Sequence, residues 1–148
     1  MILEAVPGVG NVGKILIDAL VEKHPSRTIG WILHPDFPPH ATLSEKGLIG
    51  PPRLDINKIV LPDGGELVTI TGVMQPMTAS GQFEVAESIL DLADESRASR
   101  LLVLAGLASE PEKRSIFAVC SDMEVRKALE SEDIEVSIDQ PKAGMIGV

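Results

Sequence analysis

The chain has 148 residues, a formal net charge of −9 and an isoelectric point near 4.7. That is enough chain for one domain with its own hydrophobic core, and the acidic balance argues against nucleic acid or an anionic membrane as a non-specific partner, since both demand a basic excess. No apolar run approaches the roughly 20 residues that span a bilayer; only Met1 and Ile2 precede Leu3-Glu4, so no signal peptide is expected; the single cysteine, Cys120, permits no internal disulfide, and the expected location is cytoplasmic.

Leu3 to Val6 is a short apolar run predicted to be a strand, ended by Pro7-Gly8. Val12, Ile15, Leu16, Ala19, Leu20 and Lys23 follow helical spacing, and Ile17 and Val21 widen the apolar face, which predicts a helix covered on most sides. Thr28 to Leu33 reads as a second strand, and Pro35-Asp36-Phe37-Pro38-Pro39 as a loop, because successive prolines withdraw backbone donors. Residues 41–65 read as short strands and turns, with imperfect alternation from Leu54 to Leu61 and a turn at Pro62-Asp63-Gly64-Gly65. Glu66 to Val73 is a strong β-branched strand. Phe83, Ala86, Ile89, Leu90 and Ala93 mark an amphipathic helix with Ser80 as its expected cap.

Leu101 to Ala105 has the continuous apolar character of a strand buried on both faces. Ser115 to Cys120 is expected to be another strand, and Ser121-Asp122-Met123-Glu124 a capping box. That box opens a short helix with Val125, Ala128 and Leu129 inward, and Ile134 to Ile138 is the last expected strand. Strands alternating with helices predict a single α/β layered domain over residues 1–148 with a mostly parallel sheet. The ending Ala143-Gly144-Met145-Ile146-Gly147-Val148 is too apolar for a solvated tail and reads as the start of a further element, so the chain is expected to be either a piece of a longer protein or a naturally shortened version that lacks a C-terminal portion.

The spacing Gly8-x-Gly10-x-x-Gly13 is that of a dinucleotide-binding turn, in which glycines allow a tight turn and a close pyrophosphate. Asp36 stands at the distance of a ribose-binding acid, and Asn11 and Lys14 could face an anion at the helix start. The other reading of the same glycines is a turn that lets the helix pack closely on the strand. No G-x-x-x-x-G-K-[ST] spacing and no G-x-S-x-G elbow is present. His34, Asp36 and His40 share a proline-rich loop with nothing to fix a metal geometry, so no metal is expected. Cys120 reads as a buried thiol, and Asp91, Asp94 and Glu95 as a solvated helix face. The segment Gly72 to Phe83 follows the best strand at its carboxyl end, where open α/β sheets form sites. With Gly8–Lys14 and His34–His40 it is expected to share one edge as a cleft, a subunit interface or both.

Taken together, Pro7-Gly8-Val9-Gly10-Asn11-Val12-Gly13-Lys14, Phe37-Pro38-Pro39, Gly72-x-x-Gln75-Pro76, Gly81-Gln82-Phe83-Glu84 and Leu104-Ala105-Gly106 resemble, in order and spacing, the proteasome assembly chaperone family of the second-subunit type and its archaeal homologues. The resemblance covers nearly the whole chain. It implies a three-layer α/β/α fold of the phosphorylase/hydrolase-like class with a mostly parallel central sheet. It also implies a non-enzymatic role: binding proteasome α-subunits or another family member, as a homo-oligomer in the cytoplasm, without nucleic acid, membrane, metal or cofactor. Relatives of this kind continue further and end in a hydrophobic–Tyr–any tail, whereas this chain ends Ile146-Gly147-Val148 and has no tyrosine. The composition agrees with a partner: 44% of residues are apolar and the mean hydropathy is +0.18, with small aliphatics carrying the core.

The residues expected to touch a ligand or partner are Gly8, Gly10, Asn11, Gly13, Lys14, Asp36, Phe37, Pro38, Gln75 and Pro76. The rival expectation is a small-molecule or nucleotide-binding enzyme using the three loops, with Gly8, Gly10, Asn11 and Lys14 as an anion cradle and Asp36 and Gln75 polar to the ligand.

Overall fold

The computed structural model describes residues 1–44, 47–106, 116, 118–132 and 136. They fall in two compact units, one built on Met1–Leu107 and the other on Ala108–Met145.

In the first unit the elements run β1 (Ile2–Ala5), a 3-10 turn (Val9–Asn11), α1 (Val12–Lys23), β2 (Ser26–Ile32), β3 (Thr42–Leu43), β4 (Ile49–Gly50), β5 (Leu54–Val60), β6 (Glu66–Gly72), α2 (Ala79–Glu95) and β7 (Leu101–Val103). Five strands form one sheet in the order β2-β5-β6-β1-β7, and β3 and β4 pair separately. The fold is α/β, but the sheet is mixed rather than mostly parallel: β1 pairs parallel with β6 and β7, whereas β5 pairs antiparallel with β6 and β2. The reason is local. A turn as short as Pro62–Gly65 can only reverse the chain, because a parallel partner needs a crossover of a dozen or more residues. Gly64 supplies φ 84°, and Asp63 Oδ1 accepts from the Gly65 N–H at 2.9 Å.

Alternation along the strands sends side chains to two different cores. Ile2, Leu54, Ile56 and Ile70 pack with Val85 and Ile89 of α2. Leu3, Ala5, Ile59 and Leu67 pack with Ile17 of α1, on the other face. Phe37 leaves its proline-rich loop to join the α2 core and is 5% exposed.

Three expectations about burial are corrected. Among the described strands β7 pairs with β1 alone, and Leu102 and Val103 are exposed, so it is not a strand buried on both faces. The face of α2 that enters the core carries Gly81, Val85 and Ile89, which rotates Phe83 and Leu90 to solvent. α1 is not covered on most sides: Gly13 and Ile17 meet the sheet, whereas Val12, Ile15 and Leu16 are 60%, 60% and 49% exposed.

The second unit contains α3 (Met123–Ser131) and a parallel bridge between Ala118 and Val136. The cap of α3 is Asp122, whose carboxylate accepts from the N–H groups of Glu124 (2.8 Å) and Val125 (2.9 Å). Ser121, the expected cap, donates to Asp122 instead. Val125, Ala128 and Leu129 are half-buried. The strands expected over 115–120 and 134–138 lie largely outside the described residues.

Candidate functional site

β1, β6 and β2 point the same way, so their carboxyl ends deliver the segments 6–14, 73–83 and 33–41 to one edge of the sheet. There an open cleft of about 490 Å³ is lined by Pro7, Pro38, His40, Met74, Gln75 and Gln82. All three loops contribute to it.

The glycine turn is built for its own backbone. Asn11 N–H donates to the Gly8 carbonyl at 3.0 Å, Gly10 takes φ 64° and Asn11 takes φ 51°, a left-handed conformation that asparagine tolerates. Gly13 presses α1 onto the sheet so closely that a Cβ there would lie 2.2 Å from the Leu104 carbonyl oxygen and 2.9 Å from the Ala5 Cβ. Gly106 admits the turn in the same way, its own Cβ position lying 1.9 Å from the Val9 carbonyl oxygen. Lys14 lies along α1, with its Nζ 2.5 Å from Asp18 one turn on. Thus the motif's glycines serve turn and packing, and Lys14 serves an i,i+4 ion pair.

Asp36 has a structural employer. Its Oδ2 accepts from the Thr78 N–H (2.7 Å) and the Thr78 hydroxyl (2.9 Å), while Thr78 Oγ1 accepts from the Gly81 N–H (3.1 Å). Thr78, not Ser80, is the cap of α2. Gly81 is what makes room: a Cβ at that position would sit 2.1 Å from Asp36 Oδ2. The Thr78 backbone donor holds the Asp36 carboxyl below its ordinary pKa, with the Thr78 hydroxyl and His34 acting in the same direction.

His34 joins the same network. Its Nδ1 accepts from the Asp36 N–H at 3.2 Å, so Nε2 carries the proton and donates to Glu84 Oε2 at 2.8 Å. Ser80 donates to the other Glu84 oxygen at 3.0 Å. The bond from His34, followed by that from Ser80, depresses the Glu84 pKa. These groups fasten the loop after β2 to the first turn of α2, and the sequence segment Gly81-Gln82-Phe83-Glu84 is largely explained by that fastening. Thr78→Ala is expected to cost about 1 kcal/mol, the usual value of a lost N-cap, read as a lower denaturation midpoint.

Gln75 ties the third loop to the first by donating from Nε2 to the Pro7 carbonyl, and Gln82 Nε2 donates to the Pro76 carbonyl at 3.3 Å. Of the ten expected contact residues, Pro38 and Gln75 line the cleft, and Phe37 and Gly13 are buried. Gln82 and Met74 were not among those ten, although both lie in the Gly72–Phe83 segment expected at this edge. The bulky polar Gln82 on the core-ward side of α2's first turn was the available signal for the former.

Glu4 was also missed. It is 1% exposed in the middle of β1, on the α2 side of the sheet with Ile2, and its Oε1 has no hydrogen-bond partner among the described residues. Burial pushes its pKa up from 4.5 to about 7. An acidic residue inside the apolar run Ile2-Leu3-Glu4-Ala5-Val6 was the readable sign.

The chain is 24% identical over 149 residues to the uncharacterized protein MJ1210 of Methanocaldococcus jannaschii, covering 99% of this chain and 56% of that protein. Its fold is similar to that of PbaB of Pyrococcus furiosus, an archaeal proteasome activator, at a TM-score of 0.81 and 21% identity, over 99% of this chain and 64% of that one. It is likewise similar to PbaA of the same organism, an archaeal homolog of proteasome-assembly chaperone, at a TM-score of 0.78 and 21% identity, over 99% and 58%. The chain therefore spans about three fifths of the length of these relatives. A match to the PAC2 family extends over residues 2–148, and the chain belongs to that family.

Proposed function

We propose that the chain is a non-enzymatic assembly factor of the proteasome-chaperone type that binds proteasome α-subunits, or another member of its own family, through a protein surface. The observation that carries the reading is the outer stripe of α1, where Val12, Ile15 and Leu16 stand exposed at i, i+3 and i+4. A helix already packed by Ile17 on one side has no folding reason to keep a second apolar stripe, and such stripes mark protein contacts. PbaB and PbaA, one an activator and the other an assembly-chaperone homolog, make proteasome subunits the first partners to test. The same stripe supports a homo-oligomer. A nucleotide-binding enzyme has less to draw on, because Lys14 pairs with Asp18 and Asp36 with Thr78.

Native mass spectrometry of the chain co-expressed with α-subunits of its own organism tests the reading. A defined complex is expected. The double variant Ile15→Glu, Leu16→Glu should weaken it by about 2 kcal/mol or more, roughly thirtyfold, the scale of an interface hot spot, while circular dichroism stays unchanged. No complex with α-subunits or with a second copy would overturn it.

A further inference from the structure

The cleft at the sheet edge carries two amide oxygens that no group among the described residues engages. Gln75 and Gln82 each point their amide nitrogen at a proline carbonyl, Pro7 and Pro76. A carbonyl can only accept, so the orientation of both amides is fixed: the NH2 faces the backbone. Each side chain then presents Oε1, and neither Oε1 accepts a hydrogen bond among the described residues. Two further walls, Pro7 and Pro38, have no N–H to offer. The His40 N–H is taken by the Pro38 carbonyl at 2.7 Å. The donors left to the cleft are the His40 ring and the second hydrogen of each amide, beside two amide oxygens with no committed partner among the described residues.

We infer that this cleft takes a cationic side chain, arginine or lysine, from a protein partner, with the charged head on the amide oxygens of Gln75 and Gln82 and the methylene stem along Met74 and the prolines. The stem of such a side chain packs on apolar surface while its head seeks acceptors, and a guanidinium fork can reach two oxygens at once. This deepens the protein-binding reading and rests on it for the source of the side chain. The chemistry of the cleft itself does not depend on which protein supplies it.

The test is a titration of the isotope-labelled chain, followed by NMR, with three probes: acetyl-arginine-amide, its neutral isostere acetyl-citrulline-amide, and inorganic phosphate. Saturable shifts at the Gln75 and Gln82 side-chain amides and the Met74 methyl are expected with the arginine probe alone. Gln82→Met should weaken that binding roughly tenfold, the worth of one hydrogen bond to a charged group. Equal shifts with citrulline, the same shifts with phosphate, or no saturation with any probe would each overturn the inference. If Gln82→Met does not fold, the comparison of the three probes on the unaltered chain decides alone. A chain that binds α-subunits but ignores the arginine probe sinks this inference and leaves the protein-binding reading standing; a chain that binds the probe but no α-subunit or second copy does the reverse.

Discussion

Glu4→Gln is expected to remove most of the pH dependence of stability between about pH 4.5 and 7. In the unfolded chain the Glu4 carboxyl titrates at its ordinary 4.5, and in the folded chain at about 7. Between those values the folded state holds a proton that the unfolded state has released, so stability falls as pH rises and levels off above the folded pKa. The loss over that window is roughly 3 kcal/mol, a large share of what holds a domain of this size together. Glutamine cannot ionise. The variant should match the parent near pH 4.5 and exceed it near pH 8. Urea denaturation at a series of pH values reads the difference directly; parallel curves for the two chains would show that Glu4 is not the group responsible. On the acid side the order reverses. Asp36, Glu84 and Asp122 all have lowered pKa values, held down first by the Thr78 N–H, the His34 side chain and the Val125 N–H respectively. Their contribution is present above the ordinary carboxylate range and is lost as pH falls through the lowered values. The stability maximum therefore belongs in weakly acidic solution, near the foot of the Glu4 transition.

Gly13→Ala is expected to destabilise the chain by about 2 kcal/mol, more than the same change at either other glycine of the turn. The added Cβ meets a backbone carbonyl at 2.2 Å, which no side-chain rotation relieves, so α1 must lift from β1. Overpacking of this kind costs about 1–3 kcal/mol or more, and the better helix propensity of alanine returns up to about 1. At Gly10 the cost is that of a left-handed residue with a Cβ, about 1–2 kcal/mol, because φ is 64°. At Gly8, whose Cβ position has nothing nearer than 3.9 Å, the change should be nearly neutral. Three glycines that read as one fingerprint would thus separate into a contact, a conformation and a bystander. Denaturation midpoints for the three single variants check the order, and equal effects at all three positions would contradict it.

Much of the architecture could be read from residue patterns. Periodicity located β1, α1, β6 and α2, and the carboxyl-end rule placed three loops on one edge, where they do meet. The strand directions were harder. The turn Pro62–Gly65 was legible, yet its consequence, an antiparallel β5–β6 pair, outweighs the overall alternation of strands and helices. Helix faces were misjudged where apolar residues point outward, as with Ile15, Leu16, Phe83 and Leu90. Period counting assumes that apolar means inward, and exposed apolar residues such as these break that assumption. The roles of Asp36 and His34 could not be read at all, because their partners Thr78 and Glu84 lie 42 and 50 residues away. The spacing of Gly81 from Asp36 becomes meaningful only once the loop after β2 is folded over α2.

The position of β1 in the sheet sets an order of events during synthesis. β1 leaves the ribosome before the other strands of its sheet, yet both of its neighbours come late: β6 spans Glu66–Gly72 and β7 Leu101–Val103. The β5–β6 hairpin, closed by five residues, can form by itself as soon as it emerges, whereas β1 must wait for partners more than sixty residues downstream. Until then the nascent chain carries an unpaired apolar strand with an acidic residue at its centre. In water Glu4 is ionised at neutral pH, and that charge opposes premature pairing of β1 with another chain in the way charged residues protect edge strands. Once β1 is buried in the finished sheet, the same carboxyl is pushed toward its protonated form.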